Sequence, residues 1–197
     1  DRKVKVGIAG YGVCKFGAAF GFQNHPNVEV ASATDLNPAA CAELAKVTGA
    51  RKTYASCEEM YAKDREIEAV FIATDAPSHA ELCIKGLKRG LHVASAVPAV
   101  FGEDQLVLAD ELLATVKATG LVYALFETTA FRPQCHAMRE IYKAGGFGKL
   151  IYTEGEYYHY MDKHIGSYKD WRVALPPQYY PTHSNGFYTC VTGGSFT

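Results

Sequence analysis

The chain has 197 residues, 48% hydrophobic and 21% charged, an ordinary globular composition with apolar material for one good core and part of a second. A net charge of −1 and a pI near 6.7 give no electrostatic reason to expect nucleic acid or an anionic membrane as partner. No apolar run approaches the length that spans a bilayer; the first residue is Asp1, so a removed leader would leave no trace.

In chain order, short β-branched runs alternate with longer helical patterns as far as residue 126. Val4–Ala9, Val28–Thr34, Ala69–Ala73, Leu91–Ser95 and Leu121–Phe126 read as strands. Pro38–Val47 and Ser78–Arg89 read as helices, the second stopped by Gly90, and Ser56-Cys57-Glu58-Glu59 fits a capping box opening a short helix. This alternation predicts parallel strands with right-handed crossovers, a doubly wound Rossmann α/β domain over residues 1–126.

From residue 127 the pattern changes, which predicts a C-terminal α+β domain over 127–197. Pro133–Ala144 reads as one helix ended by Gly145-Gly146. Leu150–Met161, LIYTEGEYYHYM, is too polar for a buried parallel strand and reads as a strand with one wet face, in an open mixed sheet. Val191–Thr197 looks like a turn entering another strand. One long strand and one helix cannot bury a sheet, so the second domain is expected to be truncated.

Six cysteines, at 14, 41, 57, 83, 135 and 190, form no CxxC pair. They read as reduced thiols of a cytoplasmic protein, with no metal site.

Gly10-Tyr11-Gly12-Val13 follows the apolar run VKVGIA and precedes a helical stretch, the setting of a dinucleotide fingerprint. Gly10 allows the tight turn, and Gly12 lets backbone amides approach a pyrophosphate at the helix N-terminus. The third glycine of GxGxxG is missing; Lys15 stands there, with Gly17 two residues later. Asp35 ends the second strand run, at about the 20-residue separation expected of the acid that accepts the ribose hydroxyls. A carboxylate there repels a 2′-phosphate, favouring NAD over NADP. The competing reading has Asp35 capping the helix that begins near Pro38.

The fifth strand run ends in Ala96-Val97-Pro98, with no ionisable side chain where open α/β sheets place their ligands. That segment, within AVFIATDAPSHAELCIKGLKRGLHVASAVP (69–98), together with Gly10-Tyr11-Gly12, Asp35 and GGFGKLIYTEGEYYHY (145–160), resembles the Gfo/Idh/MocA oxidoreductases over essentially the whole chain. The resemblance implies a Rossmann domain followed by a domain built on a large open sheet, through which copies of the chain would form a homo-oligomer. It implies NAD(P)-dependent chemistry on a sugar or polyol hydroxyl, with Thr74, Asp75, Ala76 and His79 along the cofactor.

Most members of that family carry Glu-Lys-Pro where Ala96, Val97 and Pro98 stand here, so the proton-moving lysine is replaced by Val97. Ala96 and Val97 would then pack beside the nicotinamide. The family's histidine position is His183, and the aspartate four residues before it is Tyr179. Histidine titrates nearest neutrality of all side chains and suits proton transfer.

The chain is most similar to the branch containing NAD-dependent glycoside hydrolases of the α-N-acetylgalactosaminidase kind. That branch shares the valine-proline, the Tyr180-Pro181-Thr182-His183 run and Trp171-Arg172, but has Asn after a Glu where Thr128 stands here. In it the sugar C3 hydroxyl is transiently oxidised, the C2 proton is acidified and the aglycone is eliminated, so NAD is not consumed.

Eight of 13 tyrosines and three of seven histidines fall after residue 150, and aromatics with hydroxyl tips suit sugar recognition. The expected proton-handling pair is His183 and Tyr180, with Tyr157 and Arg172 on substrate. Three functions stay open: a sugar or polyol dehydrogenase, a glycosidase with redox-neutral NAD, and a non-catalytic dinucleotide-binding relative.

Overall fold

A computed structural model of the chain describes residues 2–12, 14–158 and 175–195. These fall into two compact units that divide between Leu125 and Phe126.

The first unit is built on six parallel strands: β1 (Val4–Ala9), β2 (Val28–Thr34), β3 (Lys52–Tyr54), β4 (Ala69–Ile72), β5 (His92–Ser95) and β6 (Tyr123–Leu125). Their order is β3-β2-β1-β4-β5-β6, so the chain reverses its direction of winding between β1 and β4. Ligands of such sheets bind outside the carboxyl ends of the strands at that reversal. Strands covered on both faces need apolar residues at successive positions; β1 and β4 show this, with Gly7, Ile8 and Ala9 and then Val70, Phe71 and Ile72 all buried. On one face Val70, Ile72 and Val93 meet Met60, Tyr61, Leu82, Cys83, Leu87 and Leu112. Phe71 points to the other face, where the Phe20 ring stands edge-on to it at 5.3 Å and the Phe22 ring lies at 5.0 Å. Each fully buried side chain of this size contributes about 1.5–3 kcal/mol.

The crossover helices are α1 (Phe16–Ala19), α2 (Pro38–Thr48), α3 (Cys57–Lys63), α4 (His79–Lys88) and α5 (Leu106–Thr119). α2 starts on Asn37, whose side-chain oxygen accepts the amides of Ala39 at 2.9 Å and Ala40 at 3.3 Å. α3 starts on Ser56, whose hydroxyl accepts the Glu59 amide at 3.1 Å while the Glu59 carboxylate takes the Ala55 amide at 2.7 Å. β3 has no sequence signal because Lys-Thr-Tyr is three residues long and none of them is buried. Cys41, Cys57, Cys83 and Cys135 are buried and Cys14 is exposed; burial pushes the Cys57 and Cys83 thiols up to about 12, so neither is a thiolate nucleophile near neutrality.

The described part of the second unit is helical. It comprises α6 (Pro133–Lys143), α7 (Thr182–Thr192) and the 3-10 turns 128–131 and 177–179. Two sequence expectations are corrected here. Residues 150–158 form no strand; they run against α7, where Gly155 meets the Ser184 backbone, and a helix has no free edge to pair with; residues 159–161 lie outside the described residues. The expected turn over Val191–Thr197 is also not found at its start: α7 opens beside His183, runs to Thr192 and stops at Gly193 (φ +71°). Val191 is therefore the end of a helix and not the approach to a strand. No helix among the described residues is long and apolar enough to cross a membrane.

Candidate functional site

In the first unit, the carboxyl ends of β1, β2, β4 and β5 are laced together. The Gly10 amide donates to Thr34 O at 2.9 Å, Ala73 N–H to Ala9 O at 2.7 Å, and Ala96 N–H to Ile72 O at 2.8 Å. This brings Gly10, Tyr11, Gly12, Asp35, Thr74, Asp75, Ala76, Ala96 and Val97 to one end of the sheet; Val13 lies outside the described residues. Gly10 has φ +100°, and a Cβ there would stand 2.4 Å from Ala73 O, so glycine is required twice over. Gly12 is exposed, with nothing within 4 Å of its Cβ direction. That is an open cradle which a Cβ would fill and a phosphate can approach.

Gly17 takes the helix-packing part of the missing third glycine. A Cβ on it would lie 2.3 Å from Gly10 O and 3.1 Å from Ile8. Lys15, at the third-glycine position itself, adopts φ +49° and sets its ammonium 3.0 Å from Glu43 and 5.2 Å from the centre of the Tyr11 ring. α1 is a single turn of four residues, so its dipole adds little.

The Asp35 carboxylate, partly exposed, accepts Tyr11 N–H at 2.7 Å and Asn37 N–H at 2.8 Å. The capping alternative for Asp35 fails, since Asn37 is the cap of α2. The residues present therefore fit a dinucleotide: a glycine turn, an open amide cradle, and a carboxylate with lone pairs to spare at the end of β2.

His79 is placed differently from the sequence expectation. It is 1% exposed, with Nδ1 at 2.8 Å from Pro98 O and Nε2 at 2.9 Å from Thr74 O. Burial lowers its pKa, against the opposing pull of the two carbonyls. No ring nitrogen is left to face a ligand, so His79 holds the segment after β4 against the turn after β5. That turn contains a cis Val97–Pro98 peptide, with Ala96 and Val97 6% and 9% exposed.

In the second unit, His183 stands in the first turn of α7. Its Nδ1 is 2.7 Å from Glu127 Oε1, and its Nε2 is 3.3 Å from the Tyr180 hydroxyl. The Tyr157 ring lies 4.5 Å from the imidazole and 5.8 Å from the Tyr180 ring. Two glycines allow this crowding. A Cβ at Gly186 would meet Thr129 at 3.1 Å and Glu127 Cγ at 3.3 Å, and one at Gly155 would sit 2.3 Å from Ser184 O. Arg172, expected on substrate, lies outside the described residues.

Glu127 was given no role by sequence reasoning, because nothing links residues 56 positions apart. The available signal was an acid just past the carboxyl end of β6, where α/β sheets place chemistry. Burial alone would raise its carboxyl, but hydrogen bonds from His183 and the Thr129 amide hold it below the usual range. A cleft of about 500 Å³ in the same unit, lined by Leu150, Tyr152, Glu154, Asn185 and Tyr188, lies on another face of α7, and none of the four clustered residues lines it.

Comparison with known proteins agrees with this geometry. A family described as "Oxidoreductase family, NAD-binding Rossmann fold" matches residues 4–126. The chain is 28% identical over a 204-residue alignment to glycosyl hydrolase family 109 protein 1 of Bacteroides fragilis, covering 93% of this chain and 42% of that protein. It is 26% identical over 201 residues to the family 109 protein of Porphyromonas gingivalis, covering 93% and 41%. The chain thus spans about two fifths of the length of these curated relatives. Among solved structures it is similar to myo-inositol 2-dehydrogenase from Lactobacillus plantarum (TM-score 0.67, 21% identity, 76% of this chain and 44% of that one). It is likewise similar to scyllo-inositol dehydrogenase from Lactobacillus casei, solved with NAD(H) and scyllo-inositol (TM-score 0.68, 20% identity, 75% and 43%). At these identities the structures speak for the fold.

Proposed function

The chain belongs to the oxidoreductase family with an NAD-binding Rossmann fold, and from that premise we propose that the protein uses NAD to oxidise a hydroxyl of a sugar or polyol. The observation that carries the reading is the His183–Tyr180 pair, a base candidate with its Nε2 against a phenol.

The exposed turn at Gly12 would hold the pyrophosphate, since the amides of Gly10 and Tyr11 are engaged by Thr34 O and Asp35, and Asp35 would hold the adenosine ribose. The Asp35 charge favours NAD over NADP by repelling a 2′-phosphate. Thr74, Asp75 and Ala76 line the same end of the sheet. Bound NAD supplies a two-electron acceptor for a substrate C–H bond. Ala96 and Val97, buried and apolar, would exclude water on the nicotinamide side, and Val97 itself can move no proton. His183 and Tyr180 would do so. Tyr180 takes the proton of the substrate hydroxyl and passes its own to Nε2 of His183, and the Tyr157 ring offers a flat face to a sugar.

A second reading is glycoside cleavage without net consumption of NAD. It is favoured by the names of the relatives that align with nearly the whole chain and by the retained Tyr180-Pro181-Thr182-His183 run. Both readings need the same first proton transfer. Incubating the NAD-loaded protein with a panel of sugars, polyols and aryl glycosides separates them: net NADH marks a dehydrogenase, and released aglycone without net NADH a glycosidase. Neither signal on any compound would leave a dinucleotide-binding protein without catalysis. His183→Asn should lower turnover by roughly 10²–10⁴ and leave NAD affinity unchanged.

A further inference from the structure

We infer that Glu127 is the positioning residue of the proton site: its carboxylate fixes which nitrogen of His183 carries the proton, and so turns a lone pair on Nε2 toward Tyr180. The inference rests on the reading that His183 and Tyr180 handle the proton.

The geometry leaves Glu127 little freedom. Its Oε1 accepts the Thr129 amide at 2.8 Å, which caps the turn 128–131 and fixes the carboxylate plane. The same oxygen lies 2.7 Å from His183 Nδ1. The Thr129 hydroxyl donates to the His183 carbonyl at 3.1 Å, so the turn grips both the ring and the backbone of one residue. Gly186, one helical turn on, lets α7 come this close. Glu127 is 8% exposed, its Oε2 is buried without a donor, and His183 is its one cationic partner among the described residues. Arg139 of α6 does not compete, because its guanidinium is held by Cys190 O at 2.6 Å and Ala130 O at 3.0 Å.

An ionised carboxylate accepts and cannot donate, so Nδ1 must be the protonated nitrogen of the neutral ring. Nε2 then holds the lone pair, and the group 3.3 Å from it is the Tyr180 hydroxyl. When the proton arrives, the imidazolium forms beside a negative charge in a buried place, where the attraction is stronger than in water. The alternative is that Glu127 merely ties the turn 128–131 to α7. A tie would be indifferent to the tautomer and to the charge of the ring.

The two are told apart in the full chain. Ring-nitrogen NMR of His183 at a pH where it is neutral should show the Nδ1–H tautomer in the unmodified protein; the Nε2–H tautomer would overturn the inference without any variant. Glu127→Gln keeps the shape and removes the charge. It should lower kcat by about 10²–10⁴, the range for a mis-set acid/base, with little change in KM or NAD affinity. Glu127→Asp should recover part of that loss. A Glu127→Gln protein with unchanged kcat, while His183→Asn is inactive, would defeat the positioning role alone. A His183→Asn protein with full turnover would instead defeat the reading on which it rests.

Discussion

The carbonyl oxygen of Gly10 stands 2.3 Å from where a Cβ of residue 17 would be. The dinucleotide turn and the helix after it thus touch backbone to backbone, at a glycine two places beyond the one the fingerprint specifies. Gly17→Ala must move one of them, and overpacking of this kind costs about 1–3 kcal/mol, read as a lower urea midpoint. Gly12→Ala meets nothing within 4 Å, so its midpoint should be unchanged while its NAD affinity falls. Full NAD affinity in Gly12→Ala would remove that glycine from the cofactor site.

Asp35 serves two backbone amides, those of Tyr11 and Asn37, besides any ribose. Asp35→Ala should weaken NAD about tenfold, the worth of one charge-assisted hydrogen bond, and narrow its advantage over NADP. Isothermal titration with both cofactors measures this. A preference for NADP in the unmodified protein would show that the carboxylate does not set the choice.

His79 makes stability depend on pH. Burial, the largest influence, holds its folded pKa below the ordinary 6.5. The unfolded chain therefore takes up the proton first as pH falls, and the stabilisation, complete above 6.5, is lost as pH drops toward the folded value. His79→Gln should flatten the fall in unfolding midpoint between about pH 7.5 and pH 5.5. His79→Ala should cost about 2–4 kcal/mol, because it leaves a cavity and removes the single N–H that the neutral ring offers to the Thr74 and Pro98 carbonyls beside it. A slope that persists in His79→Gln would assign it to other groups.

Val97 is the position at which most relatives by resemblance carry lysine, and it is 9% exposed. Val97→Lys should not raise turnover. A buried ammonium without a partner either costs several kcal/mol or loses its proton. Steady-state NADH production is the readout, and a large gain would mean that the proton route had been lost here and not moved to His183.

What the sequence determined by itself is the part of the protein that depends on local pattern. β1 and β2 stand where the apolar runs end, α2 begins at Pro38, and Ser56 and Glu59 cap α3, because strand burial, helix caps and glycine turns act over a few residues. The turn at Gly10 (φ +100°) and the end of β2 just before Asp35 were legible for the same reason. Tertiary structure alone decided the rest. The His79 ring faces two carbonyls that lie five and 19 residues away, and nothing in its immediate sequence says so. Glu127 meets His183 across 56 residues, a contact made by the close approach of α7 to the turn after β6. Residues 150–158 carry strand-like alternation yet form no strand, since alternation prepares a surface but only a neighbouring backbone can supply the hydrogen bonds.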